Sequence, residues 1–99
     1  MSARVVITGT GAVTAAGNTA EETWQSMLAG RSGIGPITRF DPEPYPVRIQ
    51  AEVKDFAPSE RIDAKQQRYM SRATQMGMNA ALEALDQSGL VIDEDNADD

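Results

Sequence analysis

The sequence predicts an α/β chain in the order strand, helix, strand, helix, and three observations carry that reading. A β-branched run, Arg4-Val5-Val6-Ile7-Thr8, closes on Gly9-Thr10-Gly11; residues 47–53 alternate apolar and polar; and no proline interrupts residues 64–88 before Gly89. Period-two alternation marks a strand with one buried face, and a long proline-free run ended by glycine marks a helix. Ninety-nine residues allow one domain with a modest core, and 40% hydrophobic with 24% charged residues is the balance of an ordinary globular chain.

Residues 4–8 suit a strand buried on both faces, with the glycines supplying a turn that needs positive φ. Asn18 or Thr19 then offers an N-cap. Glu21 and Glu22 stand in the first turn, where carboxylates meet free amides and the helix dipole. Trp24, Met27 and Leu28 recur at i, i+3 and i+4, and Gly30 supplies a stop, so a helix is expected over about 19–29. Residues 31–46 hold Gly33, Gly35, Pro36, Pro42, Pro44 and Pro46, too many breakers for a long regular element. Val47, Ile49, Ala51 and Val53 share one face of the second strand, leaving the opposite face to water.

A helix over 64–88 would carry Ala73, Gly77, Ala80, Ala81 and Ala84 on one stripe, small enough for another backbone to approach closely. Met76, Met78, Leu82 and Leu85 widen its apolar face, which implies burial against more than one neighbour. Lys65, Arg68 and Arg72 would share one face of the same helix, and with Arg61 and Asp63 they give residues 61–72 a charge of +3. That basic cluster is either a solvated face or a docking patch for an acidic partner.

Charge and composition exclude much. The net charge is −6, but five of the fifteen acids lie in 93–99, an acidic tail or the start of a linker, and the rest is near neutral. This argues against nucleic acid or an anionic membrane as the main partner. There is no cysteine and no histidine, so disulfides, thiolate nucleophiles, imidazole bases and the common zinc sites are closed to these residues. The two lysines, Lys54 and Lys65, sit among charges and do not read as desolvated bases. The glycine-rich turn fails the dinucleotide pattern, since Thr14 stands where the third glycine of G-x-G-x-x-G belongs. No cofactor and no metal are expected. No apolar run reaches the length of a bilayer span, and the start is too short for a signal peptide, so a cytoplasmic chain is expected.

Three stretches together resemble one family. They are residues 4–14 with Gly17-Asn18 and Thr23-Trp24; Gly30-Arg31-Ser32-Gly33-Ile34 with Phe40-Asp41; and Val53-Lys54-Asp55-Phe56 leading to Met70. In order and content they resemble the amino-terminal segment of β-ketoacyl-acyl carrier protein synthases, nearest to the elongating type II. The resemblance extends to Asp86, Ser88, Gly89 and Leu90. It implies a thiolase-like α/β fold of layered αβαβα type, in a homodimer, with residues 1–99 opening the first half. It also implies decarboxylating Claisen condensation of an acyl thioester with malonyl-acyl carrier protein in fatty acid elongation. The family's catalytic cysteine and two histidines would all lie downstream, so no catalytic residue is assigned here and the separated chain is expected to be inactive. Lys65 and Arg68 match positions that dock acyl carrier protein in similar synthases, with Arg72 a weaker addition. A non-catalytic carrier-binding module and a chain-length partner subunit are the alternatives. One departure is local: Met70 is followed by Ser71, Arg72 and Ala73 where the family commonly has an acid, a bulky residue and an aromatic.

Overall fold

A computed structural model describes residues 3–95. In chain order its elements are α1 (Ala20–Leu28), β1 (Ile34–Pro36), β2 (Ile49–Ala51), α2 (Ala64–Gln67) and α3 (Arg72–Ser88). α1 forms where its caps place it. Thr19 accepts the Glu22 amide at 3.1 Å, and Gly30, at φ 69°, turns the chain out after the Ala29 cap.

The helix expected over 64–88 is two helices. Tyr69 and Met70 donate to the carbonyls of Gln66 and Gln67, tight i to i−3 bonds that end α2. Ser71 then adopts extended geometry (φ −66°, ψ 160°) and accepts the Thr74 amide at 3.1 Å, restarting the helix as its N-cap. Absence of proline therefore did not guarantee continuity. A serine whose oxygen satisfies a free helix amide divides the run. Gly89, at φ 70°, ends α3 as expected.

α3 organises the amino-terminal half. A Cβ added to Gly9 would land on the Ala84 carbonyl oxygen, and one added to Gly11 on that of Ala80. The small-residue stripe thus receives a backbone, as its composition implied. The turn role expected of these glycines is corrected: positive φ is confined to Gly30 and Gly89 among the described glycines, and Gly9 and Gly11 serve close approach. Between them Thr10 donates its amide to Gln87 Oε1 at 2.6 Å, and Ala12 donates its own to Glu83 Oε1 at 2.9 Å. The spacings match because two extended residues advance about 6.6 Å and four helical residues about 6 Å. The Glu83 carboxylate also accepts the Ala20 amide at 3.0 Å, so one side chain ties the first turn of α1 to the same helix.

The strand expected over 4–8 does not form. β1 and β2 pair only with each other, antiparallel, with Ile34 opposite Ala51 and Pro36 opposite Ile49. No other strand among the described residues is available to residues 4–8, and Val5 is 92% and Ile7 87% exposed.

The second strand is shorter than expected, and its faces are reversed. Ile49 and Ala51 point to water, while Gln50 is half-buried and Glu52 buried. The carboxylate of Glu52 explains the reversal: it accepts the amides of Thr38 at 2.8 Å and Arg39 at 3.2 Å, closing the long connection between the strands. Those bonds, led by the Thr38 amide, hold its pKa below the usual glutamate range against the opposing effect of burial.

Lys54 and Asn18 hold the next turn. Lys54 Nζ donates to the carbonyls of Gly33, Glu52 and Ala15 at 2.9, 3.0 and 3.3 Å. Asn18 Nδ2 donates to Lys54 O and Asp55 O, where Asp55 adopts φ 55°, a conformation aspartate tolerates.

Apolar surface stays largely uncovered. Ile62, 3% exposed, is the one buried hydrophobic residue among those described, and α3 buries none of its residues. The radius of gyration is 17.4 Å, against about 13 Å for a compact domain of this length. Each Val or Ile left in water forgoes about 1.5–3 kcal/mol of burial. The described part of the acidic tail, as far as Asp95, is exposed, and residues 96–99 lie outside the described residues.

Two measurements check this architecture. Gly11→Ala should destabilise the chain by at least about 1–3 kcal/mol, because the clash is with helix backbone. Gly77→Ala, where the added carbon meets open space, should stabilise it by about 0.5–1 kcal/mol. Thermal unfolding followed by circular dichroism reads both. Glu52 has a folded-state pKa below its unfolded one, so its contribution is present above the ordinary glutamate range and lost as pH falls through the folded value. In an NMR titration the Thr38 and Arg39 amide shifts should move with a midpoint below that range, and Glu52→Gln should abolish the step.

Candidate functional site

The candidate surface is the corner where α2 meets α3, built from the connection that precedes it. Asn79, on α3, accepts the Ser59 amide at 2.8 Å and donates to the Ala57 carbonyl at 2.9 Å, clamping that connection to the helix. Ser59 closes a turn to Ile62, and the Asp63 carboxylate caps α2 by accepting the Lys65 amide at 3.0 Å. From the inner side Gln67 Nε2 donates to the Ile62 carbonyl at 2.9 Å, and Gln75 Nε2 donates to the Gln67 carbonyl at 3.2 Å. Buried Ile62 and half-buried Gln67 and Met70 therefore face inward. Lys65, Arg68 and Tyr69, at i, i+3 and i+4, are exposed.

The four basic residues of this region have different surroundings. Arg61 pairs with Asp86 at 2.7 Å, which neutralises it. Lys65 and Arg68 are exposed, and neither belongs to an ion pair among the described residues. Arg72 is half-buried. Its guanidinium carbon lies 5.3 Å from the centroid of the Phe56 ring, and its Nη2 donates to the Val53 carbonyl at 3.3 Å. The break at Ser71 removes the single helical face expected for Lys65, Arg68 and Arg72. The first two remain on the outer side of the corner, while Arg72 braces it from within, a cation–π contact of about 0.5–1 kcal/mol at such a site.

The amino-terminal glycine turn offers no phosphate cradle. The amides of Thr10 and Ala12 are engaged by Gln87 and Glu83, and the latter brings a carboxylate where an anion would have to sit. Lys54, with its ammonium hydrogens on three carbonyls, is a brace for the backbone rather than a base. No group of three potential metal ligands occurs among the described residues, and none of their helices is long and apolar enough to cross a membrane.

The sequence did not single out Glu83, Gln87, Glu52 or Asn79, whose signals are long-range. It also passed over Tyr69, although the spacing from Lys65 and Arg68 was available. Tyr69 is 84% exposed.

Comparison with known proteins places this geometry in a family. The chain is 48% identical over 94 residues to 3-oxoacyl-[acyl-carrier-protein] synthase 2 of Coxiella burnetii, covering 95% of this chain and 23% of that protein. It is 45% identical over 96 residues to the protein of that name from Synechocystis sp., covering 97% of this chain and 23% of the relative. The solved ishigamide ketosynthase/chain length factor has a similar structure, with a TM-score of 0.71 and 40% identity over 87% of this chain and 21% of its own. The chain thus spans about a quarter of the length of the curated relatives it matches, and its fold class is the thiolase-like α/β fold. Residues 2–99 match the description "Beta-ketoacyl synthase, N-terminal domain", and the chain belongs to the β-ketoacyl synthase family.

Proposed function

We propose that this chain is the amino-terminal part of a 3-oxoacyl-acyl carrier protein synthase, which condenses an acyl thioester with malonyl-acyl carrier protein. The observation that carries the reading is similarity of 45–48% over nearly the whole chain to proteins named for that activity. Loss of carbon dioxide from the malonyl group leaves a carbanion equivalent, which attacks the acyl group held on a nucleophile. Residues 1–99 contain neither cysteine nor histidine, so the nucleophile and the groups that stabilise the oxyanion belong to the remainder of such an enzyme.

The contribution of this segment is to present the carrier-protein dock. Lys65 and Arg68 supply outward positive charge, and Arg72 holds the corner that displays them. The synthase works in the cytoplasm as a homodimer, and residues 93–99 lead towards the rest of the protein.

A chimera tests this reading. Residues 2–99 would replace the matching segment of the Coxiella burnetii relative, and the product should condense acyl and malonyl groups. The double variant Lys65→Ala/Arg68→Ala should raise KM for carrier-borne substrates by roughly tenfold, with weaker salt dependence than the parent and unchanged turnover of coenzyme A thioesters. A folded chimera without condensation activity, or a double variant with unchanged KM, contradicts the proposal.

A second reading, a chain-length partner subunit, is favoured by the structural likeness to a ketosynthase/chain length factor. The coding sequence beyond Asp99 separates the two, since a later cysteine on a strand-to-helix turn belongs to the synthase and its replacement to the partner.

A further inference from the structure

Resting on the docking reading above, we infer that Tyr69 is the apolar anchor of the carrier-protein interface, flanking the charged contacts of Lys65 and Arg68. Residues 65, 68 and 69 stand at i, i+3 and i+4 on one turn and are all exposed, whereas Ile62, Gln67 and Met70 of the same corner face inward. Tyr69 is 84% exposed, more than any other aromatic residue described, while Phe56 nearby is half-buried with Arg72 against it.

An exposed aromatic alone is ordinary. Here it shares a turn with two cations that have no ion-pair partner among the described residues, in a chain of net charge −6. That combination fits an acidic partner surface on which an apolar side chain stands among carboxylates. The cations meet the carboxylates, and the ring covers the apolar side chain and can donate its hydroxyl hydrogen to an acid.

The corner is also fixed before any partner arrives. The Tyr69 amide donates to Gln66 O at 3.0 Å, and Gln67 and Gln75 fasten α2 and the start of α3 from inside. Tyrosine has few rotatable bonds, so a ring on a fixed turn loses little entropy when it is covered, as interface anchors of this residue type do.

The chimera described above provides the test, with steady-state kinetics on carrier-borne substrates and on acyl- and malonyl-coenzyme A, which lack the carrier. Tyr69→Ala should raise KM for the carrier-borne substrates by roughly tenfold, leave kcat unchanged, and leave turnover of the coenzyme A thioesters untouched. Tyr69→Phe should stay within about twofold of the parent, since the ring does most of the covering. The rise caused by Tyr69→Ala should persist at high salt, unlike the effect of the Lys65→Ala/Arg68→Ala pair. If that pair raises KM and Tyr69→Ala does not, the anchor inference is overturned while the docking reading stands. If neither change alters KM, both fall. If Tyr69→Ala also slows the coenzyme A reaction, the residue acts structurally and the inference is overturned.

Discussion

The close approach of the amino-terminal segment to α3 is the constraint on which the rest of the chain depends. Gly9 and Gly11 bring main chain against the backbone of Ala84 and Ala80, a contact that any side chain at either glycine would prevent. At that distance Thr10 and Ala12 meet Gln87 and Glu83, and Glu83 in turn reaches the first turn of α1. One helix therefore sets the position of the segment before α1 and of α1 itself, by packing and hydrogen bonding together. Asn79 on the same helix fastens the connection leading to α2.

Side-chain hydrogen bonds to backbone, rather than buried apolar area, hold much of this arrangement. Glu83, Glu52, Lys54, Asn18, Asn79 and Gln67 each engage main-chain groups far from themselves or across a turn. Charged and amide side chains suit that task because one head group can satisfy two or three backbone groups at once. Such bonds contribute modestly to stability, about 0.5–1.5 kcal/mol each and more when one partner is charged. They are directional, however, and specify where loops go. The apolar surfaces that would supply most of the energy, at residues 5–7 and on the outer face of β2, remain uncovered. The chain spans about a quarter of the length of the relatives it matches, and these apolar stretches have no cover among the described residues.

How much of this was legible in the sequence depended on the range of the interaction. α1 and the end of α3 were readable because a cap, a carboxylate in the first turn and a terminal glycine act within a few residues. The small-residue stripe was readable as a place for close approach, and Gly9 and Gly11 proved to be what approaches it. Residues 4–8 have the composition of a central strand, but a strand also needs neighbours, and composition does not supply them. β2 showed its apolar alternation while hiding which face would turn inward, because that was decided by Glu52 reaching two amides in a distant part of the connection. The break before α3 was local and legible in Ser71, whose hydroxyl caps the Thr74 amide, because a proline-free run does not exclude a second N-cap within it. At the candidate site Lys65 and Arg68 were legible as a basic pair. The inward turn of Arg72 was not, since Phe56 lies sixteen residues away in sequence.

Amide hydrogen exchange on the 99-residue chain, resolved residue by residue, tests the central claim most directly. Protection should be high at Thr10, Ala12 and Ala20, whose amides are held by α3, and close to that of an unstructured chain at Val5, Val6 and Ile7. Substituting Glu83 by Ala should release Ala12 and Ala20 together. Strong protection across residues 5–7, or none at Thr10 and Ala12, would contradict an architecture held by the contact between the glycine segment and α3.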